Sequence, residues 1–247
     1  MGSDPQTTRH WGLTPVAMNR LVAGLEILLC SSIPTQLALA AALRFAGFPV
    51  FDSPGQLSLV FVLILSVGDT LVLAALMVFI TRAHGESVRE LWLGRGTLKP
   101  EVVRGVLLIP VVFLMVVVLL NVLRLVAPWL HNVETNPLEQ LATTPGEAAV
   151  FAIVAIVAGG LREEMQRAFL LRRFEMHLGG AMVGVVVLSI AFGLGHIVQG
   201  RDAAIVTGVL GAFWALVYLQ RRSAVAPIIS HSGFNSLEIL RVAVWGA

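Results

Sequence analysis

Along this chain the apolar positions neither alternate strictly nor keep to one helical stripe. They run on for about 20 residues at a time, the length a helix needs to cross a hydrocarbon core of ~30 Å. Clusters of Gly, Pro and charge separate the runs and predict seven helices: Leu21 to Phe45, Leu57 to Thr81, Val102 to Val126, Gly146 to Leu178, Ala181 to Val198, Ala203 to Gln220 and Ala224 to Trp245. The fold class expected is therefore all-α, a polytopic helical membrane protein. Residues 1 to 17 are polar, broken by Pro and too weakly apolar for a cleavable signal, so the first span is expected to act as the insertion signal. The stretch from Ala127 to Pro145 reads as a connector, although Leu138 to Leu141 could lie along the membrane surface.

Composition agrees with the pattern. Of 247 residues, 57% are apolar and 13% charged, about half the roughly 25% charge of soluble domains, and the mean hydropathy is +0.85. A disordered chain is excluded and a soluble enzyme is disfavoured. Seventeen Lys and Arg against fifteen Asp and Glu leave a net charge of only +2, which is no nucleic-acid footprint. The single cysteine, Cys30, excludes an internal disulfide and reads as a small apolar residue of the first span.

The placement of the bases is more informative than their sum. Arg9, Arg20, Arg82, Arg89, Arg95, Lys99, Arg104, Arg172, Arg173, Arg221 and Arg222 fall on one side of the predicted spans, against Arg44, Arg124, Arg201 and Arg241 on the other. Cytoplasmic loops carry the excess of Lys and Arg, so the N-terminus is expected in the cytoplasm. The expected organisation is a cytoplasmic segment over 1–20, three N-terminal spans and their loops over 21–145, and a core over 146–247, integrated as one membrane domain.

Ionisable groups within a span cost at least ~2.5 kcal/mol each at its centre, so each needs a partner or a purpose. Most of them lie in the last hundred residues or so. Helix four carries Arg162, Glu163, Glu164 and Arg167, helix five His196, and helix seven His231, Asn235, Glu238 and Arg241. Glu163 and Glu164 lie four and three residues ahead of Arg167, so one guanidinium can meet both carboxylates. Phe192 and His196 share a helical face, with Gly193 and Gly195 expected to let a neighbouring helix approach. His231 and Asn235 share another face and could both donate to a developing oxyanion. At 1.5 Å per residue, Glu163, His231 and Asn235 lie at depths of about 14, 10 and 16 Å from the cytoplasmic surface and His196 at about 24 Å. Earlier in the chain, Asp69 is the least explained charge and reads as a structural hydrogen bond or salt bridge. Met165, Met176 and Met182 read as core filler, Trp214, Tyr218 and Trp245 as interfacial anchors, and Gly208 and Gly211 as points of close helix packing.

Taken together, EExxxR, FxxxH and HxxxN on three of the last four spans resemble the CAAX protease and bacteriocin-processing family of intramembrane proteases, also called the Abi family. The resemblance covers about residues 146 to 245. It implies that Glu163 activates the attacking water assisted by His196, that His231 and Asn235 stabilise the oxyanion, and that Glu164, Arg167 and Phe192 support the site. It also implies a peptide or protein substrate that is membrane-associated or lipidated, with the need for a prenyl group left open. The short link from His196 to His231, room for one span, is similar to prokaryotic members and implies a prokaryotic inner membrane. Two positions depart from the family pattern: Gln166 where an aromatic residue is common before the arginine, and Ala168 where a glycine commonly follows it.

No nucleophile-elbow serine and no HExxH is present, which disfavours serine and zincin mechanisms. No cofactor is expected, and the residues leave open a zinc ion held by Glu163, His196 and His231. Other classes remain in view: a non-proteolytic scaffold or partner-binding membrane protein, a haem held axially by two histidines, or a proton-relaying transporter, for which no related halves are visible. Oligomeric state is not legible.

Overall fold

The computed structural model describes residues 20–54, 56–134 and 136–245. The segment expected to be cytoplasmic, apart from Arg20, lies outside the described residues, as does the Trp245 side chain.

Nine of the ten α-helices among the described residues form the seven runs that the hydrophobic pattern calls for, the tenth lies in a loop between two of them, and the chain is an all-helical polytopic membrane protein. The first run is broken in two. α1 (Arg20–Leu29) stops at Ser31 and Ser32, where Ser32 takes a left-handed φ of 69°, and α2 (Ile33–Phe45) restarts with Pro34 in its first turn, where a missing N–H costs nothing. A short hairpin, β1 (Phe51–Ser53) and β2 (Gln56–Leu57), precedes α3 (Leu59–Ala83), whose Ser58 cap accepts from the Phe61 N–H. α4 (Val88–Leu93) is a short helix within the basic loop, and α5 (Leu98–Val126) begins four residues earlier than expected. Among the described residues, four runs are long and apolar enough to cross a membrane: Arg20–Phe45, Leu59–Ala83, Val88–Val126 and Arg201–Arg221.

The fourth run opens on a complete capping box between Thr144 and Glu147, which satisfies two otherwise orphaned backbone donors at the start of α6 (Pro145–Val154). It then widens into a π-helical segment, Ala155–Arg162, before tightening into α7 (Glu163–His177). α8 (Ala181–Gly195) ends three residues short of expectation, so His196 sits on the helix terminus and not within a continuous span. α9 (Arg201–Arg221) and α10 (Val225–Trp245) complete the chain.

Two apolar clusters hold the bundle. One joins Leu73, Met77 and Trp92 to Phe169, Leu171 and Ala215, and the other packs Val112 of α5 against Val206, Leu210 and Trp214 of α9. Elsewhere large apolar side chains such as Leu107, Leu114, Met176, Met182 and Val186 face outwards, as a lipid-facing surface requires. Met176 and Met182, read as core filler, are among them. The two expected anchors Trp214 and Tyr218 are in turn buried: Tyr218 donates to the Leu91 carbonyl at 3.1 Å, and Trp214 is fully enclosed.

Candidate active site

Glu163 and Glu164 begin α7 on different faces and live in different surroundings. Glu164 is buried and pairs with Arg167 one turn later, while its Oε1 lies 2.8 Å from His231 Nδ1 of α10. Glu163 is only partly buried. Its Oε1 accepts from Arg162 Nη2 at 3.1 Å, and its Oε2 faces His231 Nε2 at 3.9 Å. His231 therefore stands between the two carboxylates, which the expected grouping around Arg167 did not foresee: Arg167 pairs with Glu164, and Arg162 with Glu163.

Arg162 carries that arrangement back into the N-terminal helices. Its Nη1 reaches Asp69 Oδ2 at 2.5 Å and Ser32 Oγ at 3.1 Å, and its Nε donates to the Ala158 carbonyl. Asp69, fully buried, also accepts from Thr35 and from Gln36 Nε2. The structural salt bridge expected of Asp69 is thus found, with a partner 93 residues away. Gln166, one of the two departures from the family pattern, donates to the Cys30 carbonyl and to Ser32 Oγ, fastening α7 to the break between α1 and α2.

Aromatic rings fix the imidazoles. Trp214 stacks on His231 with centroids 3.9 Å apart and 16° between planes, and its Nε1 donates to Ser230 at 3.0 Å. The Phe192 ring lies 4.7 Å from His196 and 6.1 Å from His231, both edge-on, with the Arg167 guanidinium 4.6 Å over its face, a cation–π contact. His196 Nδ1 lies 2.8 Å from the Phe192 carbonyl. A carbonyl only accepts, so Nδ1 carries a proton, and in the neutral form of the ring Nε2 presents a lone pair. The same logic places a proton on Nδ1 of His231, whose neighbour there is the carboxylate of Glu164.

The close approach of α10 to the π-helical segment rests on two glycines. A Cβ at Gly160 would overlap Ser232, its Cα included, and one at Gly159 would come 2.6 Å from Asn235 Nδ2. Neither glycine was singled out from the sequence, where the signal was available: a Gly-Gly pair three residues ahead of the carboxylates in an otherwise apolar run. Gly193 and Gly208 likewise let α8 and α9 touch, and Gly211 makes room for Phe192, whereas Gly195 has open space around it and supports no contact.

Glu163, His196, His231 and Asn235 all line one cavity of about 840 Å³, together with Phe192, Arg162 and Trp214. The stretch expected to be a bland connector contributes Asn136, Leu138 and Ala142 to its wall. Among the described residues no three His, Cys, Asp or Glu side chains converge on a metal position. Glu163, His196 and His231 are not such a group.

These features define a polytopic membrane protein with a carboxylate–imidazole site enclosed between its C-terminal helices. Residues 145–237 match the family model of the Rce1-like type II CAAX prenyl endopeptidases. No curated protein and no solved structure matches the chain.

Proposed function

We propose that the protein is an intramembrane endopeptidase that hydrolyses a peptide bond with a water activated by Glu163. The observation that carries this is the shared cavity: Glu163, the two histidines and Asn235 line a single space. We take 146–247 as the catalytic core, the helices before it as the scaffold that holds Arg162, and the chain as a prokaryotic inner-membrane protein with a cytoplasmic N-terminus.

Arg162 fixes one oxygen of Glu163 and leaves the other towards the cavity and His231. That oxygen takes a proton from water, whose second hydrogen is oriented by the Nε2 lone pair of His196, while the water oxygen adds to the substrate carbonyl carbon. Passing the proton on to Nε2 of His231 makes that ring doubly protonated just as negative charge develops on the carbonyl oxygen. The new N–H and the Asn235 Nδ2 then donate to the oxyanion. Glu164, bonded at Nδ1, and Trp214, stacked on the ring, hold His231 in place throughout. Collapse breaks the C–N bond, the departing nitrogen takes the proton back through His231, and one water is consumed for one new carboxylate and one new amine.

The backbone of an intact helix is hydrogen-bonded to itself and sheathed by its side chains, so the segment whose peptide bond reaches the site is expected to be extended, from a chain end, a loop or an unwound helix.

Proteomic comparison of membranes holding the wild-type chain and Glu163→Ala tests the reading. Peptides cleaved only with the wild type are expected. Absence of any such peptide, together with a partner complex that depends on the same residues, would establish the scaffold alternative.

A further inference from the structure

The two ends of the bundle are not alike, and the lining of the cavity reaches exposed charged residues at one of them. From its floor at Glu163, His231 and Trp214 it runs past Thr207 to Asn121, Arg124 and Arg241, of which the last three are exposed. These belong to the C-terminal ends of α5 and α10. No residue of the basic loops lines it.

The other end is closed. α4 lies across it, with Trp92 Nε1 donating to the Met165 carbonyl at 3.1 Å, the Trp92 carbonyl accepting from the Ala224 N–H at 2.8 Å, and the Leu91 carbonyl accepting from Tyr218. Around α4 runs a ring of ion pairs: Arg173 with Glu26 and Glu86, Arg222 with Glu175, Arg221 and Arg104 with Glu101. A polar groove at this end, between α4 and Arg222, shares no lining residue with the cavity. Every described Lys and Arg that the sequence groups on the richer side is in or beside this closed end, so the positive-charge rule assigns it to the cytoplasm.

We infer that the cavity opens away from the cytoplasm, and that the strand it admits is an extracytoplasmic segment of a translocated or membrane-anchored protein. The inference rests on the cavity being the reaction chamber proposed above. His231 lies ten residues of α10, about 15 Å, from Arg241 at the mouth. At 3.3 to 3.6 Å per extended residue, the substrate must supply roughly four or five residues between membrane surface and cleaved bond. A short extracytoplasmic tail or loop meets that requirement, and a cytoplasmic chain end would have to pass the sealed end first.

The test is thiol accessibility, which needs no substrate and does not depend on cleavage. Cys30 is the only native cysteine and is buried, so Cys30→Ala gives a clean background. Single cysteines are introduced as Arg124→Cys at the mouth, Thr207→Cys along the wall and Arg95→Cys at the closed end. A charged, membrane-impermeant maleimide is applied to right-side-out and to inside-out vesicles, with total thiol measured after denaturation. The expected result is at least tenfold faster labelling of the Arg124 and Thr207 variants in right-side-out vesicles, and the reverse for the Arg95 variant. Labelling of the first two from the inside, from both faces equally, or only after denaturation would overturn the inference. Loss of cleavage in the proteomic comparison with this labelling pattern intact would instead count against the protease.

Discussion

Neighbouring glutamates with opposite surroundings make the clearest division of labour in the site. Glu164 is buried and doubly engaged, by Arg167 and His231, and Glu163 keeps one oxygen free in the cavity. Glu163→Gln preserves volume and removes the proposed base, so peptide cleavage should fall to background while the melting temperature in detergent stays nearly unchanged. Arg167→Ala leaves Glu164 without its cation and removes the guanidinium from the Phe192 face. Breaking such a buried pair costs about 3 to 5 kcal/mol, so low abundance and a clearly lower melting temperature are expected along with lost activity. A stable, inactive Arg167→Ala protein would show that Arg167 acts in the chemistry rather than in the packing. The identities of Glu163, Glu164, His196, His231 and Asn235 were legible because charged and amide groups are expensive inside apolar runs. Their partners were less so. That Arg162 pairs with Asp69 and Arg167 with Glu164 alone depends on which way two side chains of one helix turn, and spacing of three or four residues permits more than one answer. Trp214 was misassigned for a related reason: proximity to a span end along the chain says nothing of which side of the helix faces the bundle.

The helix bearing the carboxylates owes its shape to the glycines before them. A π-helical segment puts extra backbone into a turn, and such segments occur mostly at functional sites. Here Gly159 and Gly160 bare the backbone at that turn, and α10 fills the space with Ser232 and Asn235. Gly160→Ala should push α10 outwards, because the new methyl meets the Ser232 backbone as well as its hydroxyl. The expected outcome is a destabilisation in the range of 1 to 3 kcal/mol, typical of overpacking, and a loss of cleavage larger than stability alone explains, since Asn235 is displaced with the helix. Gly195→Ala, next to His196 and with open space around it, should be neutral or gain up to about 1 kcal/mol from helix propensity. Comparing the two by thermal melting and by cleavage rate separates glycine as a spacer from glycine as an incidental small residue. The seven runs themselves were legible from hydropathy. Their interruptions at Ser32, in the π-helical segment and at His196 were not, because all three lie within stretches apolar enough to read as continuous.

Across the whole molecule, charge that is dispersed in the sequence condenses into a latch over one end. Arg173 is fully buried and bridges Glu26 of α1 and Glu86 ahead of α4, at 2.9 and 2.5 Å, with the Phe169 ring 4.6 Å beneath it. Arg222 and Glu175 form a pair at 2.7 Å with the arginine half exposed. Exposed pairs contribute up to about 1 kcal/mol, so Arg222→Gln should lower stability by no more than that. Arg173→Met is a different case. It removes the common cation of Glu26 and Glu86, of which Glu26 keeps His84 at 2.7 Å and Glu86 keeps Arg172 at 3.6 Å, and a cost of up to about 3 to 5 kcal/mol is expected. Adding Glu26→Leu removes the more deeply buried of the two carboxylates, so the double variant should recover a large part of that loss even though it lacks more native contacts than the single one. Thermal melts of wild type, both single variants and the double variant in one detergent provide the cycle. Additive losses would show that the latch contributes only packing. Recovery would show that the latch is held by buried charge matched across α1, α7 and the turn ahead of α4.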